Sequence, residues 1–151
     1  MLPRTYDNQV CSVARALEAI GDRWTMLVIR DAFHGVRRFE EFQDRLDIAR
    51  NVLSDRLARL VGDGILEKRL YQDRPPRYEY ELTAKGIDLF PVLVSLMLWG
   101  DRHVPDPGGP PVVIVHRDCG GRIDEHLLCD RCGEPITALT AEARQPAPSA
   151  G

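Results

Sequence analysis

Four residues in the last third of the sequence have the types and spacing of a metal site. In the stretch HRDCGGRIDEHLLCDRCGE, His116 and Cys119 stand two residues apart, and so do Cys129 and Cys132. A glycine follows each pair, Gly120 and Gly133. Thiolates and neutral imidazole are good donors for Zn2+, and this spacing lets one tight turn present two of them. Glycine allows the turn to curl so that backbone N–H groups face the sulfurs. One His and three Cys complete a tetrahedral shell with no position left for water or substrate, which predicts a structural rather than a catalytic ion. Three thiolates leave such a site negative, and Arg117, Arg122 and Arg131 lie close in sequence to offset it. Two other readings exist. Cys129-Asp-Arg-Cys132 has the form of a redox couple, but the βαβ setting of such couples is missing. His126 could replace His116, although H-x2-C-G mirrors C-x2-C-G and favours His116.

Around these ligands the sequence predicts a small zinc ribbon over residues 112–137, with short strands at 112–115 and 122–128. A unit of about 25 residues cannot hold a core without such a staple. VPDPGGPP, residues 104–111, is rich in Pro and Gly and reads as a linker. Residues 138–151 are rich in Ala and Pro and read as a disordered tail.

Residues 1–103 form the larger predicted domain. Its apolar periodicity is mostly helical. Helices are predicted over 10–20 and 24–33, interrupted at Gly21-Asp22, with Gly35 ending the second. Phe39, Phe42 and Leu46 mark a third. Val52, Leu53, Leu57, Leu60 and Val61 mark a fourth, closed by Gly62-Asp63-Gly64. The period then changes to two, giving strands at 66–72 and 77–82 around the tip Asp73-Arg74-Pro75-Pro76. Thr83 opens a long apolar helix to about His103, which Pro91 is expected to kink. Helix, three-residue turn, helix and hairpin, in that order, predict a mainly α fold with a β-hairpin wing: a winged helix-turn-helix.

That order suits DNA, because a helix fits the major groove while a hairpin reaches along the backbone. On the fourth helix the arc opposite the apolar set carries Asn51, Asp55, Ala58 and Arg59, flanked by Ser54. Arg50 lies in the first turn. Arginine pairs with guanine O6/N7 and asparagine with adenine N6/N7, so Arg50 and Asn51 are the candidate base readers and Ser54 a phosphate contact. Arg37 and Arg38 precede this unit, and Arg74 and Arg77 flank the stiff prolines of the wing tip, where a narrow minor groove attracts them. The bland alternative is an ordinary solvated helix face. A net charge of −3 is no objection: residues 1–103 carry 16 basic and 16 acidic groups, and residues 104–151 carry 4 and 7.

CSVARALEAIGDRW (11–24), RRFEEFQDRL (37–46), NVLSDRLARLVGDGILEKRLY (51–71), PPRYEYELTAKGIDL (75–89) and LWGDRH (98–103) together resemble the HxlR family of bacterial transcription regulators, related in fold to MarR. The resemblance implies a homodimer on a palindromic operator, acting as a repressor, with the first and last helices of the domain at the interface. Leu89, Phe90, Val92, Leu93, Leu96, Met97 and Trp99 agree with it, offering more apolar surface than one subunit covers. The chain departs from relatives at Ala49, where they often place a serine cap; the cap is expected to shift to Asp47. The zinc module is a second departure.

Relatives often hold a cysteine at the position of Cys11, and in some it senses oxidants or electrophiles. A helix N-terminus favours the reactive thiolate, whereas cysteine is also among the residues most often packed as a small hydrophobe. A small ligand near Trp24, Met26 or Trp99 is the other candidate input. No catalytic triad, paired-carboxylate pattern, Walker motif or G-x-G-x-x-G is present, so no enzyme is expected. With no apolar leader at MLPRTYDNQV and no bilayer-length run, a bacterial cytoplasmic protein is expected, associated with the nucleoid through DNA. The competing reading is a zinc-containing adaptor of the transcription machinery without its own operator.

Overall fold

The computed structural model describes residues 6–146, and the chain divides into two compact units between Ile87 and Asp88. In the first unit, α1 (Ser12–Ile20) begins two residues later than its apolar pattern predicts. Cys11 is its N-cap: the thiol accepts from the Ala14 N–H at 3.2 Å. Val10 therefore lies outside the helix, 97% exposed. Gly21 closes α1 on the Leu17 carbonyl, and a Cβ there would stand 2.5 Å from that oxygen, so only glycine fits.

α2 (Thr25–Phe33), α3 (Phe39–Leu46) and α4 (Arg50–Gly62) follow as the apolar spacing predicts. Val28 and Ile29 of α2, Phe42 of α3, and Leu53 and Leu57 of α4 are wholly buried. Asp47, Ile48 and Ala49 make the turn between α3 and α4. The expected shift of the cap to Asp47 does not occur. Asp47 takes the left-handed conformation, φ +49°, and its N–H closes α3 on the Gln43 carbonyl at 2.9 Å. Ala49 is the N-cap of α4 and offers no side-chain acceptor.

β1 (Leu66–Gln72) and β2 (Arg77–Leu82) form an antiparallel hairpin, Leu66 opposite Leu82 and Leu70 opposite Tyr78, with a bulge before Gln72. The single long helix expected after it is two. α5 (Ala84–Ile87) is capped by the Thr83 hydroxyl, which accepts from the Gly86 N–H at 3.1 Å. α6 (Phe90–His103) starts after a turn at Asp88-Leu89. In a continuous helix Pro91 would lack the N–H for the Ile87 carbonyl and its ring would strike that oxygen, so it begins a helix instead of kinking one.

In the second unit α6 precedes a ribbon built on β3 (Val113–His116) and β4 (Ala141–Arg144), antiparallel with Val113 opposite Arg144. β4 corrects the expected tail: residues 141–144 form a strand, whereas 147–151 lie outside the described residues. The strand expected at 122–128 is also corrected. Arg122 and Ile123 bridge to β3 and to Cys129, and a tight turn intervenes, because Asp124 Oδ1 accepts from the N–H groups of His126 and Leu128 at 2.8 and 2.9 Å. Val115, Ile123, Ile136 and Ala141 form the small core. Among the described residues no helix is long and apolar enough to cross a membrane.

Candidate nucleic-acid interface and metal centre

α4 buries Leu53, Leu57 and Leu60 on one side, and this leaves Arg50, Asn51, Ser54 and Arg59 exposed on the other. The four do not stand alike. The Arg50 guanidinium lies over the Phe39 ring, 4.6 Å from its centroid. Arg59 is paired with Asp22, at the junction of α1 and α2. Arg56, which the sequence did not single out, is paired with Asp55 and donates to the Arg23 carbonyl at 3.1 Å. These bonds tie α4 to the α1–α2 junction and narrow the polar face to its N-terminal end.

Arg37 and Arg38 stand at the entry to α3, against the wing. The Arg37 carbonyl accepts from the Tyr80 N–H at 2.7 Å, and its guanidinium lies 3.7 Å from Glu81. Arg38 stacks over Tyr71 at 4.5 Å. Arg74 and Arg77 are exposed at the hairpin tip. The structure thus brings Arg37, Arg38 and Arg50 into one region joined by aromatic rings.

Sequence reasoning missed Asp31. It is fully buried, and its Oδ1 accepts from Arg30 Nε at 3.0 Å and Arg45 Nη2 at 3.3 Å, while Oδ2 is the unpaired buried side-chain oxygen among the described residues. Arg45 lies in the last turn of α3, so this buried carboxylate ties α2 to the helix that leads into the α3–α4 turn. Nearby His34 has its pKa lowered, first by burial and then by the charge of Arg45. Asp31 follows an arginine within a helical apolar pattern, and nothing in that pattern marks it as buried.

In the second unit His116, Cys119, Cys129 and Cys132 form a group able to hold a metal ion, with their ligand atoms all within 4.8 Å of one another. Cys119 Sγ lies 3.4 Å from Cys129 Sγ and 3.6 Å from His116 Nδ1, and Cys132 Sγ lies 3.3 Å from the same nitrogen. Ligands on a tetrahedral Zn2+ stand about 3.5–3.8 Å apart, given Zn–S of about 2.3 Å and Zn–N of about 2.0 Å. The donor set therefore fits that ion. His116 is buried with its Nε2 3.7 Å from Asp118, whereas His126 is exposed beside Glu125, so His116 is the histidine of the group.

Burial pushes the Cys129 thiol up, but N–H groups of Cys132 and Arg131 and the thiols of Cys119 and Cys132 outweigh it, and its pKa falls to about 6. At Cys132 the Glu134 N–H favours the thiolate, yet burial and the neighbouring sulfurs leave its pKa raised. These are the N–H-to-sulfur bonds expected of the second turn, the one that ends on Gly133. Gly120 and Gly133 have φ of +73° and +75°. The tightest position is one the sequence did not single out: a Cβ on Gly121 would lie 2.3 Å from Cys129 Sγ. Of the three arginines expected to offset the charge, Arg131 donates to the Cys119 carbonyl, while Arg117 turns to the Ala141 carbonyl at 2.9 Å and ties β4 down.

Residues 19–107 match the family described as HxlR-like helix-turn-helix. The chain belongs to this family. It is 50% identical over 127 residues to an uncharacterized HTH-type transcriptional regulator of Mycobacterium tuberculosis, covering 84% of this chain and 80% of that one. The crystal structure of PA1607, described as a candidate transcription factor, superimposes with a TM-score of 0.72 at 39% identity over 89% of this chain and 94% of that chain. Both shares reach past residue 103 into the ribbon. The oxidized form of the redox regulator HypR matches with a TM-score of 0.57 at 32% identity, over 62% of this chain and 97% of its own. Within the HxlR-like family this chain is an HTH-type transcriptional regulator with a MarR-like winged fold, and not an enzyme.

Proposed function

We propose that this HxlR-like regulator is a sequence-specific repressor that binds a palindromic operator as a homodimer, with a structural Zn2+ in each ribbon. The observation that carries the reading is the N-terminal end of α4, where Arg50, Asn51 and Ser54 are exposed while Arg56 and Arg59 further along the helix are held in internal ion pairs. Arg50 and Asn51 read base edges, Ser54 contacts phosphate, and Arg74 and Arg77 follow the backbone to the minor groove. Arg37, Arg38 and Arg59 add positive potential while holding the wing and α4 in place. Each unit presents an exposed apolar set that suits a dimer, Val13 and Leu17 on α1, and Val92, Leu96 and Trp99 on α6.

His116, Cys119, Cys129 and Cys132 would hold the Zn2+, which supplies a crosslink and no catalysis. The effector is an oxidant or electrophile acting at Cys11. Its thiol is exposed at the N-terminus of α1, and a redox regulator is among the similar structures.

A mobility shift on the chain's own promoter region, repeated at rising salt, tests the reading. Specific binding with a steep negative salt slope is expected, and R50A with N51A should abolish the preference for that fragment. Indiscriminate weak binding by the unaltered protein would instead favour an adaptor without an operator.

A further inference from the structure

Ala49 leaves the first turn of α4 without a side-chain cap, so Arg50 needs some other restraint if it is to read a base with any selectivity. Phe39 is placed to supply it. The ring is half-buried at the first position of α3, with the Arg50 guanidinium 4.6 Å from its centroid. The residues just before Phe39 are anchored to the wing, through the Tyr80 N–H to the Arg37 carbonyl at 2.7 Å and through Arg38 stacked on Tyr71 at 4.5 Å. The backbone that carries the ring is thereby tied to the wing. Stacking occupies the flat face of a guanidinium and leaves the N–H edge that pairs with guanine O6 and N7.

We propose that Phe39 is a specificity-positioning residue: its ring fixes the Arg50 guanidinium before DNA arrives, so that the edge of the plane is presented in one orientation. This rests on the reading of Arg50 as a base contact. Preorganisation of this kind sharpens the choice between right and wrong bases at one position. A merely packed phenylalanine would affect all positions alike.

The test uses the full-length protein and duplexes selected by it from a random library. Affinities are measured for the best duplex and for each single-base change, with the unaltered protein, R50A, F39L and F39Y. R50A should lose discrimination at one position of each half-site. F39L should lose about 2–5-fold at that same position, F39Y should retain it, and F39L should add nothing in the R50A background. Three results would overturn the proposal: full discrimination by F39L, a loss spread evenly over the site, or equal losses in F39L and F39Y. If F39L does not fold, F39M takes its place with the same expectations. If R50A discriminates as well as the unaltered protein, or no motif is selected, it is the base-reading role of Arg50 that fails.

Discussion

In the first unit Val28, Ile29, Phe42, Leu53 and Leu57 are wholly buried, and they come from three helices that pack against one another. In the second, the ribbon buries Val115, Ile123, Ile136 and Ala141 together with two of the four candidate ligands, His116 and Cys129. The first set can hold a fold through apolar burial alone. The second is too small to do so, and its turns are shaped by positive-φ glycines and N–H-to-sulfur bonds that make sense only around a common centre. Stability in one unit is spread over many side chains; on the proposed reading of the ribbon, in the other it is concentrated in four.

The contrast is broken or sharpened most strongly by removing the metal. Chelation, or C129S, should unfold the ribbon while leaving the winged helix intact. Hydrogen exchange would show loss of amide protection at 113–144 and its retention through α2, α3 and α4; protection persisting in the ribbon after zinc is gone would erase the distinction. D31A comes next. It removes the buried carboxylate that ties Arg45 of α3 to α2; because both arginines reach solvent, it should cost the first unit about 2 kcal/mol in urea unfolding, with the metal content of the ribbon unchanged. G121A should cost the ribbon about 1–3 kcal/mol, seen as weaker competition for zinc against a chromophoric chelator, because the added methyl must displace Cys129. The smallest effect is a gain. A49S supplies the missing N-cap on α4 and should stabilise the first unit by about 1 kcal/mol in thermal unfolding.

The helices and wing were legible because each has a long enough apolar period to override local exceptions. The four ligands were legible because spacing alone brings them together on two turns. Failures came where a single residue has two possible uses. Asp47 could cap the next helix or close the previous one, and its left-handed backbone commits it to the latter. Pro91 could kink a helix or begin one, and the turn at Asp88-Leu89 decides. Residues 141–144 look like tail by composition, yet they pair with β3, since cross-strand bonding leaves no mark in the composition of so short a strand. Asp31 and the Phe39–Arg50 stack were out of reach because both depend on which helices meet, not on what any one helix contains.

β4 has a practical bearing on how the chain can be handled. Shortening it after Thr137, the boundary that composition recommends, would strip Val113 to His116 of their ladder partners and take away the Ala141 carbonyl that receives Arg117. The exposed edge so created lies directly beside His116, a member of the proposed zinc site. A trimmed protein would therefore be prone both to losing its ion and to sticking to its neighbours through that bare strand.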